Sequence, residues 1–371
     1  MHLSAESLSQ DAIDNCVRKL KPFGWDLSKG GGPVVMTYAT RIPNPWMLGV
    51  TAAMHDFPLV VAGLGMAGWN WWEGVVIQKT AAPRRAVQLV QALLGDVPMA
   101  LVDSGDVLVV NPPSAGQRRA LDQLGRTVML GAECNSWPIC YLPAYQEDAE
   151  AQRCLARHGA CFANGGVAIA RSSTLIDFLS AFRRAGEFTL NSSNGAERGN
   201  DQSALHHLYL NRTRFPSLRV HLDSASQFSL QLWTCNGGPK GGPSYRKRGG
   251  PFEYCHHHTH EPLKQVAVSS DGGALAFNES GLGHTQHPIF VHSNGYHFRL
   301  QDPIFAQLLA LQDASRLPAE LFERPVLLVE SFVPGLGMAP CSMCSLGWLI
   351  NSTRFPDGAP GVYRNATGSH Q

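Results

Sequence analysis

Between residues 98 and 110 the chain reads Pro-Met-Ala-Leu-Val-Asp-Ser-Gly-Asp-Val-Leu-Val-Val, two apolar runs separated by a short acidic turn. Runs of this length are too short for a helix and read as strands buried on both faces. Similar runs recur at 33–37, 58–62, 127–132, 167–170, 218–222 and 288–291. Segments of helical spacing lie between them. Residues 82–94 place Val87, Val90, Leu93 and Leu94 on one face, with Pro83 suited to a first turn; 114–124, 172–184 (Ser172 as cap) and 201–210 follow. Strands alternating with helices predict an α/β domain with a mainly parallel central sheet.

The boundaries follow from composition. Residues 1–32, ending in Lys29-Gly-Gly-Gly32, read as a leader or linker. Residues 33–300 form the α/β domain, with a Gly/Pro/His-rich insertion at about 236–287, and 301–371 read as a helical and irregular extension. Apolar residues are 44% and charged residues 16%, so a large core can be buried. A formal net charge of +1 excludes bulk electrostatic binding to nucleic acid or an anionic membrane, so any anion must be met by a local site. No apolar run is long enough to predict a membrane span, and the N-terminus lacks the apolar segment of a signal peptide. Five sequons, at Asn191, Asn211, Asn278, Asn351 and Asn365, lean toward a secretory location. Of nine cysteines, Cys134/Cys140, Cys154/Cys161 and Cys341/Cys344 are close enough in sequence to pair. The run Cys255-His-His-His-Thr-His260 lies in the insertion and reads as a solvated loop.

The acidic turn is the candidate site. Gly105 lets the chain turn sharply, so Asp103 and Asp106 can converge beyond the carboxyl end of a strand, where ligands of open α/β sheets bind. Converging carboxylates repel unless a cation lies between them, and hard oxygen ligands suit Mg²⁺ or Mn²⁺. A solvated acidic turn is the alternative.

A series of segments in chain order resembles the N-terminal glycosyltransferase domain of the procollagen lysyl hydroxylases. They are Thr37-Tyr-Ala-Thr40, Gly63-Leu-Gly65 with Trp71-Trp-Glu-Gly74, Val102-Asp-Ser-Gly-Asp-Val107 and Ala132-Glu-Cys-Asn-Ser-Trp-Pro138. Asn164-Gly-Gly166, Asn200-Asp-Gln202, Leu222-Asp223 with Phe228, and Val291-His-Ser-Asn-Gly295 complete it. The resemblance spans roughly 34–300 and implies a GT-A-like, Rossmann-like fold. It implies transfer of glucose or galactose from UDP-glucose or UDP-galactose to a hydroxyl, with a protein or glycan acceptor such as hydroxylysine of a collagen-like chain, in the endoplasmic reticulum. It makes Asp103, Asp106 and His292 the ligands of Mn²⁺ (or Mg²⁺), and the imidazole tilts the choice to Mn²⁺. It sets Asn294 and Gly295 along the diphosphate, Thr37 and Ser104 at the nucleotide, and Arg85 (or Arg84) at the phosphates. Trp71, Gly74 and Asn164 also fall on the donor side. Trp137 would face the acceptor sugar, or be a core tryptophan. Asp201, beside Asn200, would be the catalytic carboxylate, or an N-cap. Asn200, Gly105 and Glu73 depart from the family pattern, and Arg299 or His297 stands in for its later lysine.

Two other readings compete. One is a non-catalytic UDP-sugar-binding relative. The other is an iron/2-oxoglutarate oxygenase built on His221, Asp223, a distal His287 or His292, and Arg299.

Overall fold

The computed structural model describes residues 9–20, 32–39, 45–64, 74–133, 141–157, 160–190, 201–232, 266–271, 274–279, 285–293, 301–311, 319–333, 337–346 and 349. The chain begins with α1 (Gln10–Leu20), β1 (Val34–Tyr38), α2 (Pro45–Met54), β2 (Leu59–Ala62) and α3 (Gly74–Leu94). Next come β3 (Pro98–Asp103), β4 (Val107–Val109), α4 (Ala115–Asp122), β5 (Thr127–Glu133), α5 (Leu142–Glu147) and α6 (Ala149–Arg157). Then follow β6 (Phe162–Arg171), α7 (Ser172–Leu190), α8 (Asp201–Leu210), β7 (Arg219–Asp223) and β8 (Ser229–Gln231). The last part holds β9 (Val266–Asp271), β10 (Ala274–Glu279), β11 (Thr285–Gln286), β12 (Phe290–His292), α9 (Gln301–Leu311), α10 (Ala319–Phe322), β13 (Pro325–Val333) and β14 (Gly337–Ser345).

The fold is α/β. An eight-stranded sheet has the order β14-β13-β2-β1-β3-β6-β5-β7. β13, β2, β1 and β3 run parallel to their neighbours among themselves, as do β5 and β7, while β14 and β6 pair antiparallel. Helical crossovers, α2 and α3, produce the parallel run, because a parallel partner needs a connection long enough to return the chain. The strands are apolar on both faces because both are covered. Val35, Val61, Ala100, Val102 and Ile169 face a core shared with Leu48 of α2 and with Leu108 and Val291 of a small sheet ordered β4-β12-β8. Their neighbours Val34, Met36, Val60, Leu101 and Ala168 face the other core, with Val87 of α3, Phe178 of α7 and Leu205 of α8. Among the described residues no helix is long and apolar enough to cross a membrane.

Several expectations are corrected. Pro83 is inside α3 rather than in its first turn, because the helix begins at Gly74. The cap of α7 is Asp96, whose carboxylate accepts from the Ser173 N–H at 2.9 Å and the Ser172 hydroxyl at 3.0 Å. Partial burial opposes the charge on Asp96, yet these donors and Arg171 bring its carboxyl down to about 2. The extension after residue 300 is not merely helical and irregular: β13 joins the central sheet against β2, and β14 closes that edge. Part of the leader is structural too, since α1 packs on α3 and a Cys16–Cys341 disulfide ties it to β14. Cys341 therefore pairs with Cys16 and leaves Cys344 free; Cys154–Cys161 forms as spaced, and Cys134/Cys140 lie outside the described residues. Within the expected insertion β9, β10 and β11 form an antiparallel sheet. Asn111 pins it to the domain, donating to the Leu275 and Pro288 carbonyls at 2.8 and 2.9 Å and accepting from the Leu275 N–H at 2.7 Å.

Asp223 holds the β7–β8 turn. Its buried carboxylate accepts the N–H groups of Gln227, Phe228 and Ser229 at 2.8, 2.8 and 2.7 Å. Truncation would strand three donors away from water, so Asp223→Ala is expected to lower unfolding stability by about 3 kcal/mol, read as a shift of the urea midpoint.

Candidate metal centre

The sheet order makes a crevice before any side chain is considered. From β1 the chain goes to β2 on one side, then crosses to β3 on the other, and the carboxyl ends of β1 and β3 flank the switch point. Tyr38 and Asp103 end those strands in register. The turn after β3 brings in Asp106, and β4 pairs antiparallel with β12, setting His292 opposite Val107. The Ser293 N–H closes this join on the Asp106 carbonyl at 2.7 Å. Asp103, Asp106 and His292 each offer one ligand atom, and the three atoms lie within 4.8 Å of one another.

The donor set fits a divalent cation. His292 Nδ1 is 2.5 Å from Gln231 Oε1 and 3.0 Å from Asn164 Oδ1, both acceptors, so Nδ1 carries a proton. The orientation of Asn164 is pinned: its amide donates to Glu133 at 3.1 Å while Oδ1 accepts the Gly166 N–H at 2.8 Å. Nε2 therefore faces Asp106 Oδ2, at 3.2 Å. Neighbouring corners of an octahedron with ligands at ~2.1 Å are separated by ~3.0 Å, close to that spacing. Burial disfavours the imidazolium, but Asp106 and then Asp103 outweigh it and raise the His292 pKa. A cation held there would compete with a proton for the Nε2 lone pair. Burial, with the charges of Asp106 and Asp201, likewise raises the Asp103 carboxyl against the pull of Lys79 and His292.

Two glycines make the imidazole fit. The pairing of β5 with β6 shifts so that Leu130 faces Ala168 while Gly131 faces Asn164, and 165–167 bulge between them. This irregularity turns Asn164 toward His292. A side chain on Gly166 would overlap the His292 ring, and one on Gly131 would press on the Gln231 amide.

Lys79, on α3, lies beside the trio. Its Nζ is 2.6 Å from Asp103 Oδ1 and 2.6 Å from Asp201 Oδ2. Burial opposes the ammonium, but the two carboxylates keep it charged well above the usual lysine range. Asp201 opens α8; its Oδ1 takes the Gln202 N–H at 2.9 Å while Oδ2 holds Lys79. It is thus both a helix-terminal acceptor and an ionised group. Burial would raise its pKa, and Lys79 lowers it. The Gln202 amide bonds Glu133, joining this side of the cleft to the Asn164–His292 network.

The other expected residues divide. Asn164 is at the centre, supporting His292. Ser104 lies in the turn between the two aspartates, half-buried, and Gly74 is the first residue of α3. Thr37 is fully buried and its hydroxyl donates to the Val102 carbonyl at 2.8 Å, which fastens β1 to β3. Lys79 is the cation on the Asp103 and Asp201 carboxylates; Arg85, expected at the phosphates, is buried further along α3. Trp71, Glu73, Trp137, Asn200, Asn294, Gly295, His297 and Arg299 lie outside the described residues, as does the run from Cys255 to His260. The iron site on His221 and Asp223 fails on the geometry: the Asp223 oxygens are taken by the β7–β8 turn and His221 is exposed. Among the described residues, Asp103, Asp106 and His292 are the one such group of potential ligands.

Lys79 and Gln231 have no role in the sequence reading, and Glu133 enters it only as part of the 132–138 segment. Lys79 sits in a run of weak periodicity, far in sequence from both partners; Gln231 carries no local signal. Neither a protein-family model nor a curated protein matches the chain.

Proposed function

We propose that this protein is a metal-dependent glycosyltransferase with a GT-A-like fold, moving glucose or galactose from a UDP-sugar to a hydroxyl. The observation that carries the reading is the meeting of Asp103, Asp106 and His292 at the switch-point crevice, with Lys79 and Asp201 alongside. The ordered resemblance to the lysyl hydroxylase glycosyltransferase domain supports it, and makes a hydroxylysine or galactosyl-hydroxylysine of a collagen-like chain the acceptor class to try first. Two disulfides among the described residues fit the oxidising compartment in which such acceptors are made.

When bound, Mn²⁺ supplies Lewis acidity to the diphosphate leaving group. Asp103, Asp106 and His292 Nε2 would hold it. Asn164 and Gln231 keep the imidazole in the tautomer that leaves Nε2 available. Lys79 brings a second positive charge to the phosphate side. Asp201, ionised by Lys79, is a weak general base, since a base works best with a pKa near the operating pH. Its role is electrostatic: steering the acceptor hydroxyl or stabilising positive charge at the anomeric carbon.

The test is UDP release with Mn²⁺ across a panel of UDP-sugars, with and without a hydroxylysine-containing peptide, in wild type, Asp103→Ala and Asp201→Ala. Turnover of one UDP-hexose, lost on chelation and in Asp103→Ala, is the expected result. Equal turnover in wild type and Asp103→Ala would remove the mechanism.

A further inference from the structure

We propose that Lys79 is a built-in competitor for the cation: its ammonium occupies Asp103 in the metal-free protein and must yield that carboxylate when the metal binds. The inference rests on the metal-site reading above and adds a mechanism by which metal and nucleotide binding become coupled.

One ammonium bridges two acids at equal distances, 2.6 Å to Asp103 Oδ1 and 2.6 Å to Asp201 Oδ2. Asp103 also belongs to the trio whose ligand atoms lie within 4.8 Å of one another. A divalent cation on Asp103 and an ammonium on the same carboxylate repel each other, and the site is shielded from water: the Lys79 side chain is only 14% exposed. Each therefore weakens the hold of the other.

The surroundings make the exchange cheap. Asp201 stays behind as a partner, so Lys79 released from Asp103 is not left as an unpaired charge. An ammonium has three donors, and a diphosphate arriving with the metal offers acceptors for those Asp103 gives up. The backbone is loosened at the same point. Pro83 lies inside α3 four residues after Lys79, where its missing N–H removes the bond that the Lys79 carbonyl would accept in a regular helix. The cation alone must displace Lys79 without compensation, whereas the cation with a diphosphate gives Lys79 a new anion. Metal and nucleotide are therefore expected to bind with positive coupling, and Lys79 is its source.

The experiment measures Mn²⁺ binding to the full chain by electron paramagnetic resonance of free Mn²⁺, with and without UDP. Lys79→Met is expected to bind Mn²⁺ alone about tenfold more tightly than wild type, a typical size for coupling of this kind. UDP should tighten Mn²⁺ binding in wild type and much less in Lys79→Met. Lys79→Arg, which keeps the charge, should behave as wild type, and Asp103→Asn added to either background should abolish binding, identifying the site. Circular dichroism checks each fold, and Lys79→Gln replaces Lys79→Met if the latter does not fold. Mn²⁺ binding to a folded Lys79→Met or Lys79→Gln that is no tighter than wild type overturns the proposal. No Mn²⁺ binding to either protein overturns it together with the metal reading. Tighter Mn²⁺ in the variant, with no turnover of any UDP-sugar by the wild type, supports the exchange and removes the glycosyltransferase reading alone.

Discussion

If Asp103, Asp106 and His292 hold a cation as proposed, Gly166→Ala should abolish its binding as completely as Asp103→Ala does, although Gly166 offers no ligand atom. A methyl group at Gly166 would overlap the His292 ring, whose Cγ would be 2.7 Å away. The ring cannot yield in place. It is buried, its Nδ1 is held by Gln231 and Asn164, and its strand is paired on both sides, with β4 and β8. Either the ring rotates off Gln231 and takes Nε2 away from Asp106, or the bulge in β6 flattens and withdraws Asn164. Both outcomes break the ligand set. Perturbing a supporting contact of a metal-bound histidine typically lowers affinity about 10–100-fold, and displacing the ligand should reach or exceed the upper end. Calorimetry of Mn²⁺ uptake, together with UDP release at fixed Mn²⁺, reads the effect. A Gly166→Ala protein that binds Mn²⁺ like wild type would mean that His292 is not a ligand. The fold should survive, because the overlap is local to one ring.

Parts of this arrangement are legible in the sequence because they are local. Asp103 and Asp106 share one turn between two apolar runs, so their convergence needs only Gly105 and the β3–β4 geometry. β1, β2, β3 and β5 are legible as short runs flanked by turn formers. His292 is legible only through the family resemblance, since a histidine at a strand end carries no distinguishing pattern. What escaped depends on distant pairings. Lys79 meets carboxylates from β3 and α8, and nothing around it in sequence marks it out. Gln231 matters only because β8 lies parallel to β12. β13 and β14 follow a stretch of helical pieces and Pro/Gly breaks, so they read as tail; β13 takes the apolar edge of β2, and β14 pairs outside it. Pro83 near the start of the helical spacing reads as a first-turn proline, whereas the helix begins at Gly74 and holds Pro83 inside it.

The same distance in sequence gives the second large effect. By the loop-entropy relation, removing the Cys16–Cys341 bond in a Cys16→Ser/Cys341→Ser protein should lower stability by about 6 kcal/mol. The bond joins residues 325 apart, and closing a loop of that length removes a large share of the unfolded chain's freedom. It also has a local task. α1 is an 11-residue helix, too short to persist unaided, and it lies against α3 and the edge strand β14 with Ile13 and Cys16 buried. Without the bond, α1 keeps only its packing, and β14 loses a cover over the sheet edge. Cys154–Cys161, with a separation of 7, provides an internal comparison, for which the same loop-entropy relation gives only about 2.5 kcal/mol. Urea unfolding of the two double variants should therefore show the larger midpoint shift for the long-range pair, and limited proteolysis should cut first within α1. A long-range variant no less stable than the short-range one would show that α1 contributes little to the sheet, and would return residues 1–32 to the role of a leader.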